Sequence, residues 1–234
     1  GAAATVAQAN LLDAITAGVI TATIAGDSAA SLATLTGTTG VYAVTQNGSA
    51  VATITQLVAI NAATTGAITI NANTISNNYS DTAANLAAAF AGITTHTGTM
   101  AITGTTAATT AELLVINAAT AGAITLNAQT IAANYSESAA NLVLMFAGTI
   151  TTHTGVLTIS DVSAATVAQL VTINAASTGT IVLNAATNAA AYSDTAANLT
   201  AGFLGTTSHT GTIGVTGAAA TVAQANLLDA ITAG

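Results

Sequence analysis

Apolar and polar positions along this chain follow two rhythms in turn, short runs at period two and longer runs at helical spacing. The period-two runs follow glycines: VITATI from Val19, AITIN from Ala67, TMAIT from Thr99, AITLN from Ala123, LTIS from Leu157, TIVLN from Thr180 and TIGVT from Thr212. Alternating Ile, Val and Thr suits a pleated surface, so each run predicts a short strand. Between them lie Ala-rich segments with helix-start chemistry. SDTAANLAAAF from Ser80, SESAANLVLMF from Ser136 and SDTAANLTAGF from Ser193 place Ser or Asp ahead of an Ala/Leu run, as an N-cap with a carboxylate in the first turn. TTAELLVINAAT from Thr109 and TVAQLVTINAAS from Thr166 carry Val and Leu at helical spacing and end before a glycine.

The pattern repeats at three scales. Residues 1–18, GAAATVAQANLLDAITAG, recur unchanged as residues 217–234, a 216-residue period. Within it INAATTGAITI (Ile60 to Ile70), INAATAGAITL (Ile116 to Leu126) and INAASTGTIVL (Ile173 to Leu183) stand 56 and 57 residues apart. Tyr79, Tyr135 and Tyr192 follow that spacing, as do Phe90, Phe146 and Phe203, and nearly so His96, His153 and His209. Finally, the glycines at the strand starts (Gly18, Gly40, Gly66, Gly98, Gly122, Gly155, Gly179, Gly211 and Gly234) divide each copy in two, at alternating gaps of about 24 and 32 residues. Such self-similarity marks a stacked repeat, each unit burying its apolar face on the next.

Strand and helix in alternation, never turning back, predict an α/β fold. The expected form is a repeat solenoid with one long parallel sheet and helical crossovers, about eight rungs per super-repeat. At about 4.8 Å per rung that advances roughly 38 Å. The alternative is a pure β-solenoid in which the Ala-rich segments are turns and further strands. The expected organisation is one continuous segment over 1–234. Its sub-repeats run at about 1–40, 41–97, 98–154 and 155–210, and 217–234 repeats 1–18.

Composition narrows the function. The chain has no Lys, Arg, Cys, Pro or Trp, and eight acidic residues give a formal charge of −8. Without a cation to neutralise phosphates, nucleic acid and anionic membrane surfaces are excluded as expected partners. Mean hydropathy is +0.70. Even so, apolar runs such as Ala139 to Gly148 fall short of the roughly 18–20 residues of a spanning helix, so no membrane insertion is expected. A signal peptide's charged leader would need Lys or Arg, which a processed or internal fragment does without.

Three rows of residues could carry chemistry. His96, His153 and His209 lie in TTHTG, TTHTG and TSHTG. Copies two rungs apart would be separated by roughly 10 Å along a stack, too far to share zinc ligation at about 2 Å, so they are expected to be capping or surface residues. Asp81, Glu137 and Asp194 form an acidic row that could hold calcium between chains, but they already serve as helix-start acids. Asn61, Asn117 and Asn174, with Asp13 and Asp229 in the same slot, suit a hydrogen-bonding ladder or the closing turn of a helix. The Tyr and Phe rows read as stacked core or groove residues. No catalytic, cofactor-binding or metal site is assigned. Every distinctive residue recurs at the repeat spacing, and no nucleophile elbow, P-loop or dinucleotide fingerprint is present, so an enzyme is not expected.

The SDTAANL and SESAANL runs and the Ala/Thr/Gly composition resemble large repetitive secreted proteins of Gram-negative bacteria and cyanobacteria, with S-layer proteins and haemolysin-type giant surface proteins the nearest groups. The chain departs from them in lacking calcium-binding nonapeptides. The resemblance implies an extracellular or cell-surface structural role. The expected function is a subunit or segment of a filament, tubule or surface lattice, with copies of itself as partner and cell-surface polysaccharide as a further candidate. A spacer stalk of a giant adhesin is the alternative, and an ice-binding solenoid a weaker one.

Overall fold

The computed structural model describes residues 2–232, so Gly234, the last of the strand-start glycines, lies outside the described residues. The described residues form twelve helices and eleven strands, grouped into two compact units. The first unit holds Gly1–Gly104 and Ala111–Thr125; the second holds Thr105–Thr110 and Leu126–Gly234.

In chain order the first unit runs α1 (Val6–Ile15), β1 (Thr21–Thr23), α2 (Ala29–Leu32), β2 (Val41–Thr45), α3 (Ile54–Ala63), β3 (Ile68–Thr69), α4 (Ala72–Ser76), β4 (Tyr79–Asp81), α5 (Ala83–Phe90), β5 (Met100–Ile102), nearly all of α6 (Thr110–Ala119) and β6 (Ile124–Thr125). The second continues with α7 (Ala128–Ala132), β7 (Tyr135–Glu137), α8 (Ala139–Phe146), β8 (Leu157–Ile159), α9 (Val167–Ala176), β9 (Ile181–Val182), α10 (Ala185–Ala189), β10 (Tyr192–Thr195), α11 (Ala196–Phe203), β11 (Ile213–Thr216) and α12 (Val222–Ile231).

The α/β alternation is as the sequence predicts, and every ladder is parallel. The Ala-rich segments are helices, which sets aside the pure β alternative for them. Local chemistry accounts for this. In α1, α3, α9 and α12 a Thr N-cap accepts from the backbone amide three residues on, and the Gln there accepts in turn from the amide of the cap, closing a capping box. Ala and Leu then propagate the helix cheaply.

Three expectations need correction. The strands form four small sheets, ordered β1-β2-β3, β4-β5-β6, β7-β8-β9 and β10-β11, not one long sheet. Besides the glycine-led strands there are three led by tyrosine, β4, β7 and β10, and each opens a new sheet. They fill the longer of the two glycine gaps, after a five-residue helix capped by Asn71, Asn127 or Asn184. Lastly, the caps of the DTAANL helices are Thr82, Ser138 and Thr195. The preceding acids Asp81, Glu137 and Asp194 belong to the strands.

Close approach explains the glycines. A Cβ on Gly98 would sit 2.0 Å from the Asn77 carbonyl oxygen, and one on Gly122 would sit 2.1 Å from the Gly98 carbonyl oxygen. In the second unit Gly155 faces the Ala133 carbonyl at 2.0 Å and Gly179 faces Gly155 at 1.9 Å in the same way. Glycine is therefore required where one backbone passes directly over another.

Candidate functional site

The residues that recur most exactly come together as three equivalent clusters, one in the first unit and two in the second. Each joins the tyrosine that leads a strand, the phenylalanine that ends the next helix, and the histidine beyond it. Tyr79, Phe90 and His96 have ring centroids 5.2, 4.9 and 5.5 Å apart, with Tyr79 and Phe90 edge to face. Tyr135, Phe146 and His153 repeat this at 6.1, 5.0 and 5.6 Å, and Tyr192, Phe203 and His209 at 5.3, 4.9 and 5.4 Å.

The histidines are thus core residues, contrary to the surface or capping position expected of them. His96, His153 and His209 are at most 1% exposed. His96 Nε2 lies 2.9 Å from the Asn77 carbonyl and Nδ1 lies 3.0 Å from Thr120 Oγ1. His153 repeats the pair with the Ala133 carbonyl at 2.8 Å and Ser177 Oγ at 3.1 Å. A carbonyl only accepts, so the network assigns the proton of the neutral ring to Nε2, leaving Nδ1 to accept from the hydroxyl. That hydroxyl has a second outlet, because Thr120 Oγ1 is 2.8 Å from the Gly98 carbonyl and Ser177 Oγ is 3.2 Å from the His153 carbonyl. Rotating one hydroxyl would let a protonated ring donate from both nitrogens.

Burial pushes all three histidines below their ordinary value, and the carbonyls opposite Nε2 in His96 and His153 pull partly the other way. His209 differs from its copies. The carbonyls of Asn188, Ala190 and Thr187 face its ring, yet neither ring nitrogen has a hydrogen bond of good geometry among the described residues.

Around each cluster runs a clamp for which the sequence reading had no candidate. The tyrosine hydroxyls of Tyr79, Tyr135 and Tyr192 donate to the carbonyls of Ala52, Ala108 and Ala165 at 2.8, 2.7 and 2.7 Å. The amides of the same alanines donate to Thr74, Thr130 and Thr187 Oγ1 at 2.9, 2.8 and 2.8 Å. These threonines are wholly buried. Their signal was an Asn followed three residues later by Thr, since Asn71, Asn127 and Asn184 cap the Thr backbone amide. Burial pushes the phenols of Tyr79 and Tyr192 up from their ordinary value.

The acidic row is structural. Asp81 Oδ1 accepts from the Thr82 amide at 2.7 Å and from Asn85 Nδ2 at 2.8 Å; Asp194 does the same with Thr195 and Asn198 at 2.7 and 2.9 Å. Glu137 accepts from Asn141 Nδ2 at 3.0 Å. Asp27 fills this role ahead of α2, where bonds from Ser31 and Ser28 hold its carboxyl below the usual range. No group of three or more potential metal ligands occurs among the described residues.

In the Asn row, Asn61 and Asn174 each donate across to a later helix, to the carbonyls of Ala89 and Gly202, and so form the expected ladder bonds. Asn117 donates to Leu113 O within its own helix. In the shortened copy this cross-bond comes from Asn10, to Thr34 O at 2.8 Å, and not from Asp13.

Chemically, the clusters can hold one strand–helix copy rigidly to the next and take up a proton only at a cost. They hold no nucleophile–base pair open to solvent. The surface depression lined by Val58, Asn61, Thr64, Thr65 and Ala88 carries no titratable group. No protein family, curated protein or solved structure matches the chain. No helix among the described residues is long and apolar enough to cross a membrane.

Proposed function

We propose that this chain is a structural segment of an extracellular filament, tubule or surface lattice. In this reading its copies wind as an α/β solenoid and it is not an enzyme. The observation that carries the proposal is the threefold recurrence of one buried cluster and clamp, spending every distinctive residue on holding copies together. An active site needs a constellation that departs from its repeats, and the three clusters keep the same Tyr, Phe and His rings. Its partners are further copies of the same block. Calcium has no dedicated site among the described residues, and its binding to the acidic row would compete with the Asn85 and Asn198 bonds.

Neighbouring strands pair residues 20 to 24 positions apart. A 216-residue block therefore winds about nine to ten times and advances roughly 45 Å at about 4.8 Å per turn, more than the eight rungs counted from glycines alone. Electron microscopy of native material should show fibres or sheets with an axial repeat near this value or a multiple. Discrete globular particles alone would refute the proposal.

A further inference from the structure

Asparagine serves throughout this fold as a fastener. Caps, ladder bonds and turn bonds engage the side chains of Asn61, Asn71, Asn78, Asn134, Asn174 and Asn184, and most of the others are engaged likewise. Among the described residues only Asn47 and Asn226 have a side chain without a hydrogen bond. Asn226 lies inside α12 with Leu227 after it. Asn47 is exposed in the turn between β2 and α3, and Gly48 follows.

The same turn recurs in the later copies, where Thr103 and Ser160 stand in the place of Asn47. The backbone amides of Asn47, Thr103 and Ser160 donate to the carbonyls of Asp27, Asp81 and Glu137 at 2.7, 2.8 and 2.9 Å. Only the first carries a carboxamide. It lies over Gly26, where a Cβ would collide with it, and the later copies have Ser80 and Ser136 in that place. Gly48 is open as well. Its φ is 79°, a Cβ there would meet nothing within 4 Å, and its amide donates no hydrogen bond among the described residues. Its carbonyl is held instead by Asn71 Nδ2 at 2.9 Å, which also binds Ala50 O at 2.9 Å. An unbonded carboxamide is thus followed by an unbonded and unhindered amide nitrogen.

From this pairing we propose that Asn47 is a site of spontaneous covalent modification, at which the folded chain loses ammonia and gains an aspartyl or isoaspartyl residue. The proposal is independent of the filament reading. The Gly48 nitrogen gives up its proton to hydroxide and attacks Asn47 Cγ. The N–Cγ bond forms, the Cγ–Nδ2 bond breaks, and Nδ2 leaves as ammonia with a proton from water. Water then opens the resulting succinimide. Cleavage of the new N–Cγ bond leaves aspartate at 47; cleavage of the original peptide bond leaves isoaspartate, with the main chain running through Cγ. No oxidant or reductant takes part. Glycine favours the first step because no side chain crowds the attacking nitrogen. Either product places a further negative charge next to Asp27 in a chain without Lys or Arg to offset it. The isoaspartyl product also lengthens by one atom a turn pinned at Asp27 O and at Asn71, so it loosens the Asn71 bonds to Gly48 and Ala50.

The test is to hold the folded chain at pH 6 and at pH 9 and to follow each asparagine by peptide mapping. Chymotrypsin serves for the digestion, since the chain offers trypsin no Lys or Arg. Electron-transfer fragmentation separates aspartate from isoaspartate. Asn47 should convert before every other asparagine, and faster at the higher pH. Its rate in the folded chain should lie within about tenfold of that in a free peptide of residues 43–57, because no opening of the fold is needed first. Asn47→Gln, which keeps an amide but lengthens the arm that must close the ring, should show no acidic shift on isoelectric focusing over the same period. Protection of Asn47 beyond about tenfold relative to the free peptide would overturn the proposal. So would another asparagine reacting first, or an equal acidic shift in Asn47→Gln.

Discussion

The clamp on Ala108 lends itself to a quantitative test. Thr130 is wholly buried and its hydroxyl accepts the Ala108 amide at 2.8 Å. Thr130→Val keeps the shape of the side chain and removes only that acceptor, so a buried N–H is left without a partner at a cost of about 1–3 kcal/mol. Thr130→Ser keeps the acceptor and loses one methyl group, about 1 kcal/mol. Tyr135→Phe removes the other jaw, the 2.7 Å bond to the Ala108 carbonyl, and should cost about 1 kcal/mol. Because both jaws grip one residue, the pair should be non-additive. Urea unfolding of the four chains gives the order directly, and amide exchange at Ala108 should quicken most in Thr130→Val. A Thr130→Val chain as stable as the unaltered one, or less damaged than Thr130→Ser, would refute the assignment of the clamp as a principal hold between copies.

Two further perturbations test other parts of the fold. The histidines are held below their unfolded value, so the unfolded chain binds more protons, and stability should fall as pH drops through about 6.5 and level off below the folded values. Urea midpoints at pH 8, 6.5 and 5 would show this, and a His96→Gln, His153→Gln, His209→Gln chain should have a flatter profile; equal slopes would count against it. Gly155→Ala places a methyl group 2.0 Å from the Ala133 carbonyl and should cost at least about 1–3 kcal/mol, whereas Gly48→Ala, whose Cβ meets nothing within 4 Å, loses only what its positive φ of 79° imposes. Thermal unfolding of the two would separate a steric role from a conformational one.

What the sequence made legible follows the range of the forces involved. The Val/Leu spacing after Thr109 and Thr166 and the Ala/Leu runs are written within a few residues, and the helices they announce are present as α6 and α9. The glycine-led strands were visible because close backbone passage excludes every other residue. The tyrosine-led strands are three or four residues long and are fixed by pairing with partners 21 or 22 positions away, which no local pattern records. The same holds for the histidines. TTHTG reads as polar, and burial becomes tolerable only because Asn77 and Thr120, 19 and 24 residues distant, supply both ring partners.

The clamp has a mechanical consequence. Each one ties the chain to itself across 27 residues and no further. Load applied to such an array is therefore carried by many short, equivalent fastenings in series. In a filament of the kind proposed, a fastening that opens would slacken its own copy and leave the next one closed, so a tear would be arrested where it starts.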